Sequence, residues 1–204
     1  IEAWGAGGAG GNAQSGVAGG GGSGAYSKST LSVTPGEEYS ITVGEGGSPK
    51  SLFGGAIDGS ESKIAPLNNA SNVKVLAEGG NSVGGSNTEK GAKGGQVTSN
   101  SVGDTTLAGE VGSDASGTNS GKGGDAPNDG GVGGASVSSD NSGENGKDPG
   151  GGGSGAASSG ATGGNGGDGQ VKISFTKFTF TQATTGDFNI DSNWNVNDVP
   201  TSND

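Results

Sequence analysis

The sequence predicts an all-β frame with little or no α-helix. On that frame it predicts a glycine-rich region folded as a bundle of polyglycine or polyproline II helices. Three observations carry this reading. Fifty of the 204 residues are glycine, and all but Gly186 precede Gln170. Within that region, runs of glycine recur at every third position. Short runs of alternating apolar and polar residues flank the richest glycine tract.

Glycine has no side chain with which to fill a core. From Gly103 to Gly169 the larger apolar residues are Leu107, Val111, Val132 and Val137, beside 24 glycines. Helices are disfavoured, because each interior glycine costs about 1 kcal/mol relative to alanine. The chain must therefore cohere through its backbone.

The elements follow in order. IEAWGAGGAGG opens as a short strand, 1–5, and dissolves into glycine. In 25–44, Leu31 and Val33 alternate with polar residues, as do Tyr39, Ile41 and Val43. Pro35-Gly36 between them suits a type II turn joining two strands, since proline presets one φ and glycine accepts the positive φ that follows. Val73 and Val75 predict a strand over 71–77. A polyglycine-type tract runs over 79–169. QVKISFT places Val171, Ile173 and Phe175 on one face of a strand over 170–176. Phe178 and Phe180 then fall on the opposite parity, so the domain boundary is set there. The glycine-rich domain is thus 1–176, and 177–204 is expected to start a second β-rich domain or a linker strand.

The spacing inside the tract gives the bundle its form. Gly160, Gly163, Gly166 and Gly169 recur by threes. So do Gly121, Gly124, Gly130 and Gly133, with Pro127 at the missing beat, and Gly103, Gly109 and Gly112. A period of three is that of a polyproline II helix, which has no internal hydrogen bonds. Neighbouring helices with glycine at the contact can approach closely and pair their backbones laterally, as buried peptide groups require. Collagen would need an unbroken Gly-X-Y run rich in proline, and this chain has six prolines. On composition alone, disorder is the competing reading.

The net charge is −11, from 21 acidic residues against ten lysines. That excludes the basic footprint of nucleic-acid binding. Histidine, cysteine and methionine are absent. Imidazole catalysis, thiol chemistry and disulfides go with them. The sequence has no membrane-inserting run. It starts at Ile1 and stops inside a strand-rich segment, so part of a longer polypeptide or filament is expected.

No residue is assigned a catalytic, cofactor-binding or metal-binding role. GGNGGD, from Gly163 to Asp168, matches the start of a calcium-binding nonapeptide, but its apolar position falls on Gln170 and no second copy follows. Asp187, Asn189, Asp191, Asn193, Asn195 and Asp198 have calcium-loop spacing, yet Phe188, Ile190, Trp194 and Val196 alternate with them as in a strand with one wet face. Gly150 to Gly155 lacks the lysine and the βαβ context of a phosphate cradle. The carboxylates sit in solvated surroundings and are expected to titrate normally. Trp4, beside a strand, is expected in the core.

Four blocks in series carry a resemblance: IEAWGAGGAGG, GGGGSGAYSKSTLSVTPGEEYSITVGEGG, VLAEGG and GGNGGDGQVKISF. Over Ile1 to about Thr176 the chain resembles the glycine-rich domain of bacterial surface proteins and phage tail-fibre proteins. The resemblance implies a small β-frame anchoring a polyglycine-type region. Similar bundles occur in phage receptor-binding adhesins and in an insect antifreeze protein. This chain differs from those two in its longer polar interruptions, rich in Ser, Asn and Asp. The tail GDFNIDSNWNVNDVPTSND resembles the opening of a β-rich repeat of secreted bacterial proteins.

The expected function is a non-catalytic structural and adhesive module of a large extracellular surface protein. Polar loops such as DASGTNSGK (114–122) and SSDNSGEN (138–145) would face a carbohydrate or a cell surface. A phage fibre tip on a virion and an ice-binding protein are the alternatives.

Overall fold

The chain pairs as short strands where glycine is absent and leaves the sheets where glycine begins. The computed structural model describes residues 1–50, 55–98, 101–138 and 141–175, and none of these is helical. Residues Ile1–Lys172 form one compact unit. The second unit, Ile173–Asp204, is described only at 173–175, outside any strand. The second β-rich domain expected at 177–204 lies outside the described residues.

The described strands are β1 (Glu2–Trp4), β2 (Tyr26–Lys28), β3 (Tyr39–Thr42), β4 (Ser48–Pro49) and β5 (Ala56–Ile57), followed by β6 (Ser62–Pro66), β7 (Val75–Ala77), β8 (Thr105–Leu107) and β9 (Gln170–Lys172). They form sheets β8-β2-β1-β9, β3-β6-β7 and β4-β5, antiparallel throughout. Successive residues of β1 face opposite ways. Ala3 packs with Ile64, Val75 and Ala77, and Ile1, Tyr39 and Val171 lean on that cluster. Trp4 packs with Tyr26 and Ala126. The Trp4 and Tyr26 rings lie 5.0 Å apart, tilted by 55°. The Trp4 indole N–H donates to Pro127 O at 2.9 Å.

The structure corrects the expected frame in several places. Within 25–44 the Pro35-Gly36 turn forms, with Gly36 at φ 89° and Glu37 N–H donating to Thr34 O at 3.0 Å. It does not join a hairpin. Leu31 and Val33 lie outside any strand, Val33 is 63% exposed, and β2 and β3 belong to different sheets. β3 pairs instead with β6, which buries Ile64 and Ala65. In 71–77 the strand begins at Val75. In 170–176 it ends at Lys172. β8 interrupts the 79–169 tract, because Thr105, Thr106 and Leu107 have no glycine among them and pair along Tyr26–Lys28.

Between the strands run ten extended glycine-rich segments, which we call rods. Rods 1 to 5 span 5–13, 18–25, 78–83, 89–95 and 109–115. Rods 6 to 10 span 120–126, 130–137, 141–147, 150–157 and 161–169. None of these segments belongs to a named strand, and several are direct continuations of one. β1 runs into rod 1, β7 into rod 3, and rod 10 into β9.

The rods are cross-linked by backbone hydrogen bonds whose directions repeat every third residue. In rod 1, Gly5, Gly8 and Gly11 donate to Ala25, Gly22 and Gly19 of rod 2. Gly7, Gly10 and Ala13 donate to Gly167, Gly164 and Ala161 of rod 10. Gly80 and Val83 of rod 3 donate to Ala6 and Ala9, while Gly153 and Ala156 of rod 9 donate to Gly8 and Gly11. Rod 2 behaves alike: Ala18, Gly21 and Gly24 donate to rod 9, Gly20 and Ser23 to rod 5, and Gly22 and Ala25 to rod 3. A strand alternates its donors between two directions. These rods cycle through three.

Glycine is required at the contacts. A Cβ added at Gly5 or Gly8 would strike the backbone of rod 3, and one at Gly7 or Gly10 that of rod 9. Additions at Gly163 and Gly166 would strike rod 1, and at Gly109 and Gly112 rod 2. Within a rod, glycines three apart such as Gly163 and Gly166, Gly109 and Gly112, or Gly121 and Gly124 therefore lie along one neighbour. Ala6, Ala9 and Asn12 take the remaining face of rod 1, all buried. Not every glycine of the sequence pattern is a contact: Gly160, at φ 80°, has open space around it and makes a turn. No described rod glycine is exposed, whereas Lys90, Lys93, Val111, Asp114 and Val132 line the outside.

Candidate functional site

The rods run alternately away from and back towards the four-stranded sheet, so five connections meet at the opposite end. They lie around residues 14–17, 84–88, 116–119, 138–141 and 158–160, with 139–140 outside the described residues. Hydrogen bonds join them. Asn87 Oδ1 accepts the N–H groups of Gln14 at 2.8 Å and Ser15 at 3.0 Å. Ser159 Oγ donates to Gln14 O at 2.8 Å, and Gly160 N–H to Ala13 O at 2.9 Å. Ser116 and Asn119 exchange both backbone bonds across a turn in which Gly117 has φ 61°. Ser120 N–H donates to Val137 O, and Ala157 N–H to Asn141 O.

The exposed side chains there include Gln14, Ser15, Ser116, Thr118, Asn119 and Ser138. Among the described residues of the five connections, none is charged. On a chain of net charge −11 the described side chains at this loop end are hydroxyls and amides, and Asp140 of the 138–141 connection lies outside the described residues. Of the loops named from sequence, 114–122 supplies Ser116, Thr118 and Asn119, and 138–145 supplies Ser138 and Asn141. Sequence reading missed that 14–17, 84–88 and 158–160 join them, because only the up-and-down path of the rods brings them to one end.

Many short polar side chains elsewhere act structurally, accepting a backbone N–H in place of a rod carbonyl. Ser154, fully buried, accepts the Glu144 N–H on Oγ at 2.8 Å. Ser82 Oγ accepts from Ala9 N, and Asn12 Oδ1 from Gly163 N. Asp114, Asp125 and Asp148 accept from the backbone of Gly91, Gly133 and Asp168. Among the described residues every buried side-chain polar atom has a partner. The Ser, Asn and Asp interruptions thus complete the backbone network where glycine rods run out.

Three carboxylates depart from the ordinary titration expected of them. The Tyr26 hydroxyl, 2.6 Å away, lowers the Glu2 pKa; burial opposes this, and Lys28 and Lys172 add to it. In return, burial and the Glu2 carboxylate raise the Tyr26 hydroxyl far above its usual value. Burial works against the Asp125 charge, but the Lys122 ammonium and the Gly133 N–H outweigh it and hold its pKa low. The Thr34 N–H, then the Tyr39 hydroxyl, lower Glu37.

The sequence motifs with metal or phosphate spacing resolve as follows. Gly163 to Asp168 lies in rod 10, where the Asp168 carboxylate accepts the Gly46 N–H at 2.8 Å. Gly150 to Gly155 lies in rod 9 with its N–H groups already committed to other rods. The Asp187 to Asp198 series lies outside the described residues. Among the described residues no three His, Cys, Asp or Glu side chains are grouped to hold a metal ion, and no helix is long and apolar enough to cross a membrane.

Comparison with curated proteins gives no match. A family model for a glycine-rich domain matches residues 1–176, which include all ten rods and all nine described strands. The chain belongs to the glycine-rich domain family.

Proposed function

We propose that the ten rods are polyglycine II helices and that the module is a non-catalytic structural and adhesive part of a large extracellular surface protein. The loop end formed by the five connections is its contact surface, presented to a carbohydrate or a cell surface. The observation that carries this reading is the conjunction of a backbone-bonded scaffold with a cluster of exposed hydroxyls and amides at one end. Recognition groups gather on loops held by rigid scaffolds. A bundle whose donors recur by threes matches the three residues per turn of this helix type. A fibre tip on a virion is the nearest variant and would use the same end.

The test replaces exposed side chains only. A variant carrying Gln14→Ala, Ser15→Ala, Thr118→Ala and Asn119→Ala is compared with the parent for binding to a glycan array and to bacterial cells. The expected result is loss of binding with an unchanged melting temperature. Binding retained by the variant would refute the assignment of this end.

A further inference from the structure

The frame carries a concave surface where the start of β3, at Tyr39, pairs with the end of β6, at Pro66. A groove of about 440 Å³ runs between the Pro35-Gly36 turn and the segment 66–68. A hollow of about 300 Å³ continues past Glu37, Pro66 and Asn68, which line both, to Tyr39, Asn69 and Lys74. The groove's volume falls within the range of small-molecule sites.

Its walls are of two kinds. Pro35, Pro66, Tyr39 and Leu67, the last 60% exposed, supply apolar surface. Asn68 and Asn69 are exposed, and among the described residues no partner engages their side-chain amides. The aromatic ring is held in place. The Tyr39 hydroxyl donates to Glu37 Oε2 at 3.0 Å, and the same oxygen accepts the Thr34 N–H at 3.1 Å. The turn thereby fixes Glu37, and Glu37 fixes Tyr39.

We propose that this groove binds a neutral saccharide, with a sugar ring against Tyr39 and Pro66 and its hydroxyls on the Asn68 and Asn69 amides. A carboxamide both donates and accepts, as a sugar hydroxyl does. A tyrosine ring offers an apolar face beside a polar rim. Glu37 and Glu38 on the wall disfavour an anionic ligand. This inference stands apart from the loop end described above, since the two surfaces share no residue.

The full chain is titrated with maltose, lactose and cellobiose while its amide resonances are followed by NMR. The expected result is that at least one disaccharide shifts Tyr39, Asn68 and Asn69, with a dissociation constant of about 1 mM. The double variant Asn68→Ala/Asn69→Ala, whose side chains are exposed, should melt as the parent does and bind about tenfold more weakly. Tyr39→Ala, which removes the ring, should abolish the shifts at Asn68 and Asn69. The proposal is overturned if no disaccharide moves these resonances, or if only the connections around 14–17 and 116–119 respond. It is also overturned if the double variant binds equally well, or if oligolysine shifts the groove more strongly than any sugar.

Discussion

A single methyl group placed at Gly8 should open the bundle. Gly8 sits in rod 1, where its N–H donates to Gly22 O at 2.8 Å and its C=O accepts from Gly153 N at 2.9 Å. A Cβ there would point at Asn81 O of rod 3 and lie about 1 Å inside the 3.0 Å limit that real Cβ atoms respect. The obstacle is backbone, so it cannot rotate away. Rod 3 must move off rod 1 by about that distance, which is overpacking of a kind that costs about 1–3 kcal/mol. The move stretches the Gly80 N to Ala6 O bond of 2.8 Å and the Val83 N to Ala9 O bond of 3.0 Å beyond useful range. Each buried group left unpaired adds about 1–3 kcal/mol. Against this, Gly→Ala stiffens the unfolded chain and returns up to about 1 kcal/mol. The net expectation for Gly8→Ala is a loss of about 2–8 kcal/mol, and a fall in Tm of roughly 5–30 °C. Gly84→Ala is the control, because no atom lies within 4 Å of a Cβ at that position. It should be neutral or stabilising by up to about 1 kcal/mol. Differential scanning calorimetry of the two variants decides the matter. Equal melting temperatures would refute the claim that glycine is needed for rod contact.

The other predictions concern the side chains that complete the network. Ser154→Ala leaves the Glu144 N–H without its Oγ acceptor at a part-buried contact, and removes the hydroxyl from a fully buried side chain. It should cost about 1–3 kcal/mol by chemical denaturation. The pH dependence has a defined sign. Asp125 and Glu2 have folded pKa values below their ordinary 3.8 and 4.5, so the stability they contribute is present above those values and is lost as pH falls through the folded ones. Melting followed from pH 6 down to about pH 2 should show that loss, and Asp125→Asn should flatten part of it.

How much of this was legible in the sequence depends on what each residue does. Trp4 and the alternation Ile1, Ala3 beside Glu2, Trp4 announce a strand with two buried faces, and β1 has them. The every-third glycines of 163–166, 121–124 and 109–112 line single neighbouring rods, because three residues per turn bring every third position to the same side. Leu31 and Val33 misled, since alternation marks a strand only when something covers one face, and Val33 is left in solvent. β8 was hidden for the opposite reason: Thr105 to Leu107 pair along β2 without burying an apolar face. Where glycine spacing is poorest, in 79–120, rods 3, 4 and 5 still form. Asp58 Oδ1 accepts the Ser82 N–H, and Asp114 Oδ1 the Gly91 N–H, each in place of a rod carbonyl. In the sequence such residues resemble loop. The loop end and the Tyr39 groove were not legible, because each depends on segments that are brought together only by the path of the chain.

The exterior explains why such a bundle stops growing. A glycine-lined outer face would accept another rod, much as an open strand edge accepts another strand. Here the outward positions carry Lys90, Lys93, Val111, Asp114 and Val132, whose side chains hold a further backbone at a distance.

Rod backbones are held by one another, and amide hydrogen exchange along rod 1 tests this most directly. All seven N–H groups from Gly5 to Gly11 are bonded: six to backbone carbonyls, at Gly5, Ala6, Gly7, Gly8, Gly10 and Gly11, and one, at Ala9, to Ser82 Oγ. Unbroken protection is expected through these consecutive residues, close to that of global unfolding. Exchange of the same amides at the rate of an unstructured glycine chain, while β1 and β2 stay protected, would contradict it.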